Sequence, residues 1–123
     1  MNGKKVAAAL VKKMVSMHLD MNKAKILIVG IGKINDDPVF REYRYDTDMI
    51  DLTIELGEYD IKTHVFDPYA EKDFLEEEFN IQCENDMSKF GQVSTYSGFV
   101  ITGLVEGFNI GEYKRGRFAL IQL

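Results

Sequence analysis

Residues 23–68, KAKILIVGIGKINDDPVFREYRYDTDMIDLTIELGEYDIKTHVFDP, decide the fold. Lys25 to Val29 holds a continuous Ile-Leu-Ile-Val run, the pattern of a strand covered on both faces, as parallel strands are. Gly30 follows as a turn. Asp46 to Leu56 then sets Met49, Ile50, Leu52, Thr53 and Leu56 at helical intervals, with Asp46 or Thr47 as the N-cap and Gly57 as a left-handed stop. Asp60 to Phe66 alternates and is β-branched, and Asp67-Pro68 ends it, because proline cannot donate to a ladder. Strand, turn, helix and strand in this order predict a βαβ unit with parallel strands. That is the first half of a nucleotide-binding α/β domain.

Working outward, Val6, Leu10, Met14 and Met17 recur at helical spacing between Lys4 and Met17, with Lys4, Lys5, Lys12 and Lys13 on the other face. Glu71 to Phe79 reads as a short acidic helix with Phe74, Leu75 and Phe79 inward. Phe99 to Thr102 reads as a buried strand introduced by Tyr96-Ser97-Gly98, and Phe118 to Leu123 as the last strand. Strands alternating with helices predict a three-layer α/β/α Rossmann-like fold with a short, mostly parallel sheet. One domain over 1–123 is expected, with a leading amphipathic helix over 1–20 and the α/β unit over 23–123. The leading helix and the 31–45 loop are expected to be exposed, mobile or used in self-association.

Composition narrows the function classes. Apolar residues at 46% and charged residues at 28% are those of an ordinary globular protein. Fifteen basic against twenty acidic side chains give a net charge of −5, which counts against sequence-independent binding to a phosphate backbone. The one cysteine, Cys83, forms no internal disulfide, and no Cys/His spacing resembles a zinc site. No apolar run reaches the roughly 20 residues of a membrane span, and the N-terminus does not read as a signal peptide. A cytoplasmic protein is expected.

The residues with chemical potential are few. Gly30-Ile31-Gly32-Lys33 starts like the G-x-G-x-x-G fingerprint, but Asn35 stands at the third glycine and Asp36, Asp37 and Pro38 delay the helix that would receive a pyrophosphate. Asp67 ends the second strand, where an acid would meet a ribose, but reads first as a turn-forming aspartate before Pro68. Asp36 and Asp37 lie too far beyond the first strand to resemble the acidic pair of a phospho-accepting receiver domain. Glutamates 76, 77, 78 and 84 around Cys83 would raise its pKa, making it a packed thiol rather than a nucleophile. His18 and His64 have no catalytic partner at a recognisable spacing, and His64 suits a sheet surface. Lys114, Arg115 and Arg117, beside Glu112, suit a solvated turn or a phosphate contact.

Taken in order, Ala24-Lys25-Ile26-Leu27-Ile28-Val29-Gly30, Arg41-Glu42, Ile50-Asp51-Leu52, Glu55-Leu56-Gly57-Glu58-Tyr59-Asp60 and His64-Val65-Phe66-Asp67-Pro68-Tyr69 form a pattern that Tyr96 to Thr102 and Phe108 extend. The pattern resembles the C-terminal, nucleotide-sugar-binding domain of the UDP-glucose/GDP-mannose dehydrogenase family, particularly its bacterial UDP-N-acetylhexosamine dehydrogenase branch. The family's Asp-x-Arg-x-Ser segment falls at Arg41, with Tyr43 replacing the serine. Ile34 stands where the family has its turn lysine, with Lys33 adjacent. Ser97 replaces the aspartate after Tyr96, and Val105 replaces the histidine of the His-x-x-Phe motif.

The resemblance implies a substrate-binding role for Lys33 and a cofactor-binding role for Arg41, whose guanidinium would face the NAD pyrophosphate. It implies oxidation of a nucleotide sugar's C6 alcohol to a uronate in polysaccharide biosynthesis, with NAD as cofactor in a full-length enzyme. Its partners would be the nucleotide sugar and the separate NAD-binding and central catalytic domains, with a homodimer as a candidate assembly. Neither of those domains fits in 123 residues, so this chain alone is expected not to be catalytic. Two rivals stand beside this reading: a non-catalytic interaction or structural domain that keeps the fold after its contact residues degenerated, and a free-standing Rossmann-like protein binding a nucleotide at Gly30 to Lys33.

Overall fold

The computed structural model describes residues 2–34, 39, 42–86, 96–102 and 114–123, with the backbone alone at 114–117. Helix α1 (Gly3–Ser16) opens the chain, capped by the Asn2 side chain accepting from Lys5 N at 3.2 Å. Strand β1 (Lys25–Val29) follows, then β2 (Gly32–Ile34), β3 (Tyr43–Tyr45), α2 (Thr47–Glu58), β4 (Lys62–Phe66), α3 (Lys72–Phe79), β5 (Cys83–Glu84), β6 (Tyr96–Ile101) and β7 (Lys114–Gln122).

Five strands form one sheet in the order β5-β4-β1-β6-β7, and every pairing in it is parallel. The chain builds outward from β1 on one side through β4 and β5, then returns to the other side for β6 and β7. This is a doubly wound order, and the reversal leaves a switch point beside β1 at the carboxyl ends of the strands. The expected three-layer, Rossmann-like α/β architecture is therefore present.

Residue alternation in β1 explains the core. Ile26 and Ile28 face a cluster built with Ala7, Leu10 and Met14 of α1 and with Met49, Leu52 and Leu56 of α2. Leu27 and Val29 face a second cluster with Phe66, Tyr96 and Phe99. A strand with apolar side chains on both faces has to be central, since either face left in water would lose roughly 2 kcal/mol per side chain. Helix α1 therefore buries Ala7, Leu10 and Met14 against the sheet, so that side of it is not exposed, contrary to expectation, while its four lysines and Val15 face solvent.

Several boundaries differ from the sequence reading. Gly57 lies inside α2, and the left-handed residue that ends the turn is Asp60 at φ 59°; aspartate tolerates that conformation because its short side chain bonds locally. In α3 only Leu75 is buried, with Phe74 and Phe79 at 38% and 36% exposure. Tyr96-Ser97-Gly98 does not precede the strand but begins it, and β7 starts earlier than Phe118. Within 31–45, Gly32–Ile34 and Tyr43–Tyr45 pair antiparallel as a separate two-stranded ribbon rather than an irregular loop.

Candidate functional site

The carboxyl ends of the three central strands bring Gly30, Asp67 and Thr102 to one rim. Gly30 turns at φ 90°, a conformation glycine adopts without strain, and its N–H donates to Phe66 O at 2.8 Å. Thr102 donates to Val29 O through both its backbone N–H, at 3.0 Å, and its hydroxyl, at 3.1 Å. The rim's polar backbone is thus tied across β1 on both sides.

Asp67 is the hub. It is 2% exposed, and both carboxyl oxygens are occupied: Oδ2 accepts from Ile31 N at 2.9 Å and from the Tyr43 hydroxyl at 2.7 Å, and Oδ1 accepts from Tyr69 N at 2.8 Å. Asn85 Nδ2 donates to Asp67 O and Ala70 O, each at 2.8 Å, fixing the turn that carries the acid. A buried polar group needs such partners, because leaving it unsatisfied costs about 1–3 kcal/mol. Asp67 is thus more than a turn former before Pro68, since it joins the first strand's turn, the ribbon and the second strand's exit.

The ribbon supplies Tyr43. A Cβ built on Gly32 would overlap the Tyr43 ring, so the second glycine of Gly30-Ile31-Gly32 gives room to an aromatic side chain of the same chain. Burial, and then the bond to Asp67, push the Tyr43 phenol's pKa upward, so the hydroxyl keeps its proton and donates. Tyr43 meets Tyr45 edge-on with centroids 5.3 Å apart, Tyr45 stacks on Phe74 at 5.3 Å, and the Tyr45 hydroxyl accepts from Glu71 N at 2.9 Å. The aromatic alternation of Tyr43-Arg44-Tyr45 fastens the ribbon to α3.

Beside the ribbon lies a depression of about 600 Å³ whose lining includes Lys33, Arg44, Asp46 and Thr47. Lys33 is 73% exposed, with its Nζ 3.3 Å from Asp46 Oδ2. Asp46 also caps α2 by accepting from Asp48 N at 3.0 Å, and its own N–H donates to Ile31 O at 2.9 Å. Arg44 pairs with Glu42 at 3.0 Å on the surface. The Arg44–Glu42 pair is exposed on both sides and is worth at most about 1 kcal/mol, whereas Lys33 reaches from solvent to an Asp46 carboxylate that is only 10% exposed.

Along 114 residues, 91% of the chain, the sequence is 30% identical to UDP-N-acetyl-D-glucosamine 6-dehydrogenase of Pseudomonas aeruginosa. It is 29% identical over 79 residues to the enzyme of the same name from Salmonella typhi. This homology supports the UDP-sugar dehydrogenase family. The chain spans 24% and 18% of the lengths of these two relatives, as a partial domain would. No protein-family profile matches the chain.

Of the two site residues carried by the UDP-sugar dehydrogenase resemblance, Lys33 lies on the ribbon at the depression, and Arg41 lies outside the described residues. Val105, Phe108, Asp36 and Asp37 also lie outside them, as do the side chains of Lys114, Arg115 and Arg117. Cys83 is buried and its thiol is pushed up to about 12, first by burial and then by Asp67; the glutamates named from sequence are not the leading cause. His64 is half-buried, its Nδ1 2.9 Å from the Tyr96 hydroxyl, and its pKa is lowered by burial and by Lys25 and Lys62. Among the described residues no helix is long and apolar enough to cross a membrane.

Sequence reasoning treated Tyr43 as a departure from a serine and missed it as the partner of Asp67. The period-two pattern Tyr43-Arg44-Tyr45, set against Gly32-Lys33-Ile34, was the available signal.

Proposed function

We propose that this chain is a nucleotide-sugar-binding domain, C-terminal in type, of an NAD-dependent UDP-sugar 6-dehydrogenase. It binds one face of the nucleotide sugar and leaves oxidation to separate NAD-binding and catalytic domains, so the chain alone does not turn over substrate. The observation that carries this reading is the match to a 6-dehydrogenase over 91% of this chain but only 24% of the relative. The parallel, doubly wound sheet supports it, because such sheets receive nucleotides at their carboxyl ends.

Lys33 contributes the substrate-side cation from the rim of the depression, and Arg41 the contact to NAD. Both act in the cytoplasm, where nucleotide sugars and NAD are at hand. Titration calorimetry with UDP-N-acetylglucosamine tests the reading: saturable heat that falls at least tenfold in affinity in Lys33→Ala is expected. Absence of heat at millimolar ligand overturns it.

A second reading, a non-catalytic interaction domain, is favoured by the Tyr43 and Asp67 contact, which places a protein hydroxyl where an acid would otherwise be open to ligand. Wild-type protein that ignores every nucleotide yet retains cooperative unfolding would support it.

A further inference from the structure

We propose that the carboxyl ends of β1 and β4 form a ribose site whose hydroxyl position the chain fills with its own Tyr43. Three observations carry this. Asp67 ends the strand next to β1 and lies beside the glycine turn, the position from which an acid accepts a ribose hydroxyl in a doubly wound sheet. The donor it receives is the Tyr43 hydroxyl at 2.7 Å, an O–H group with the same hydrogen-bonding chemistry as a sugar hydroxyl. Gly32, whose missing side chain would let a ligand approach, lies instead against the Tyr43 ring.

Asp67 is 2% exposed, and its other two side-chain hydrogen bonds are taken by Ile31 N and Tyr69 N. A nucleoside with free 2′ and 3′ hydroxyls therefore reaches Asp67 only when Tyr43 withdraws. Tyr43 is carried on the two-stranded ribbon, which shares no strand pairing with the five-stranded sheet among the described residues. Its withdrawal leaves the sheet's ladders intact. The ligand class is a ribonucleotide of any base, recognised by its diol, and the inference holds whether or not the chain also takes a nucleotide sugar at Lys33.

The test compares uridine and adenosine 5′-diphosphates with their 2′,3′-dideoxy counterparts by calorimetry on wild type, Tyr43→Ala and Tyr43→Ser. Wild type is expected to treat each pair alike, by equal affinity or by equal lack of it. A folded Tyr43→Ala or Tyr43→Ser protein is expected to prefer at least one ribonucleotide by tenfold or more, and Asp67→Asn added to either variant to erase that preference. Tenfold diol preference in wild type overturns the proposal, as does a folded Tyr43 variant with none. If neither variant folds, Tyr43 is a core side chain rather than a plug, and the proposal fails. The proposed Lys33 function is read separately, from affinity for UDP-N-acetylglucosamine in wild type and Lys33→Ala.

Discussion

The Tyr43 hydroxyl donates to Asp67 Oδ2 at 2.7 Å and so joins the ribbon to the exit of the second central strand. Because Oδ2 also accepts from Ile31 N, one carboxyl oxygen ties both ends of the ribbon's pairing to the exit of β4. Tyr43→Phe keeps the ring and removes one bond, which is expected to lower unfolding free energy by about 1 kcal/mol. Asp67→Ala strands the buried Ile31 N–H as well and is expected to cost about 3 kcal/mol or more. Urea denaturation with both variants gives the order; equal midpoints would contradict the hub.

Gly32→Ala is expected to destabilise by about 1–3 kcal/mol, through overlap with the Tyr43 ring. In a Tyr43→Ser background, where the ring is gone, the same Gly32→Ala change should cost much less. A double-mutant cycle measures the coupling, and strictly additive effects would separate the two positions.

Alkali should weaken the fold before any tyrosine is forced open. Cys83, pushed up to about 12 from 9.0, and the raised Tyr43 and Tyr45 all keep their protons in the native state at a pH where the unfolded chain has released them. The unfolded state then binds fewer protons, so stability is level below about pH 9 and falls as pH climbs towards 12. Thermal melts between pH 8 and 11 should show this decline. At pH 8 Cys83 should react with a thiol reagent only after denaturant is added.

His64 has the opposite sign. Its folded pKa lies below the ordinary 6.5, so below that pH the unfolded chain takes up a proton that the native state refuses. Its contribution to stability is complete above about pH 6.5 and is lost as pH falls. His64→Gln should flatten the acid side of a stability profile; an unchanged slope would exclude the residue as its source.

The central strand was legible because Ile26 to Val29 is apolar on both faces, which only a parallel, doubly covered position allows. Helix α2 was legible from its period and the Asp46 cap, yet its end was misplaced because Gly57 is a tolerated exposed helical glycine. The ribbon was not legible: three-residue strands lie below the length at which alternation separates from chance. The candidate site was half-visible. Asp67 announced itself by position, whereas its partner Tyr43 comes from a segment whose approach depends on tertiary packing with Gly32.

The all-parallel pairing also sets the order in which the chain becomes safe from aggregation. Thr102 closes on Val29 across 73 residues, so during synthesis at about 5–20 residues per second the Ile-Leu-Ile-Val strand waits about 4–15 s for its second neighbour. Through that interval one edge of the strand lacks its partner, while helix α1, already made, can cover the face that carries Ile26 and Ile28.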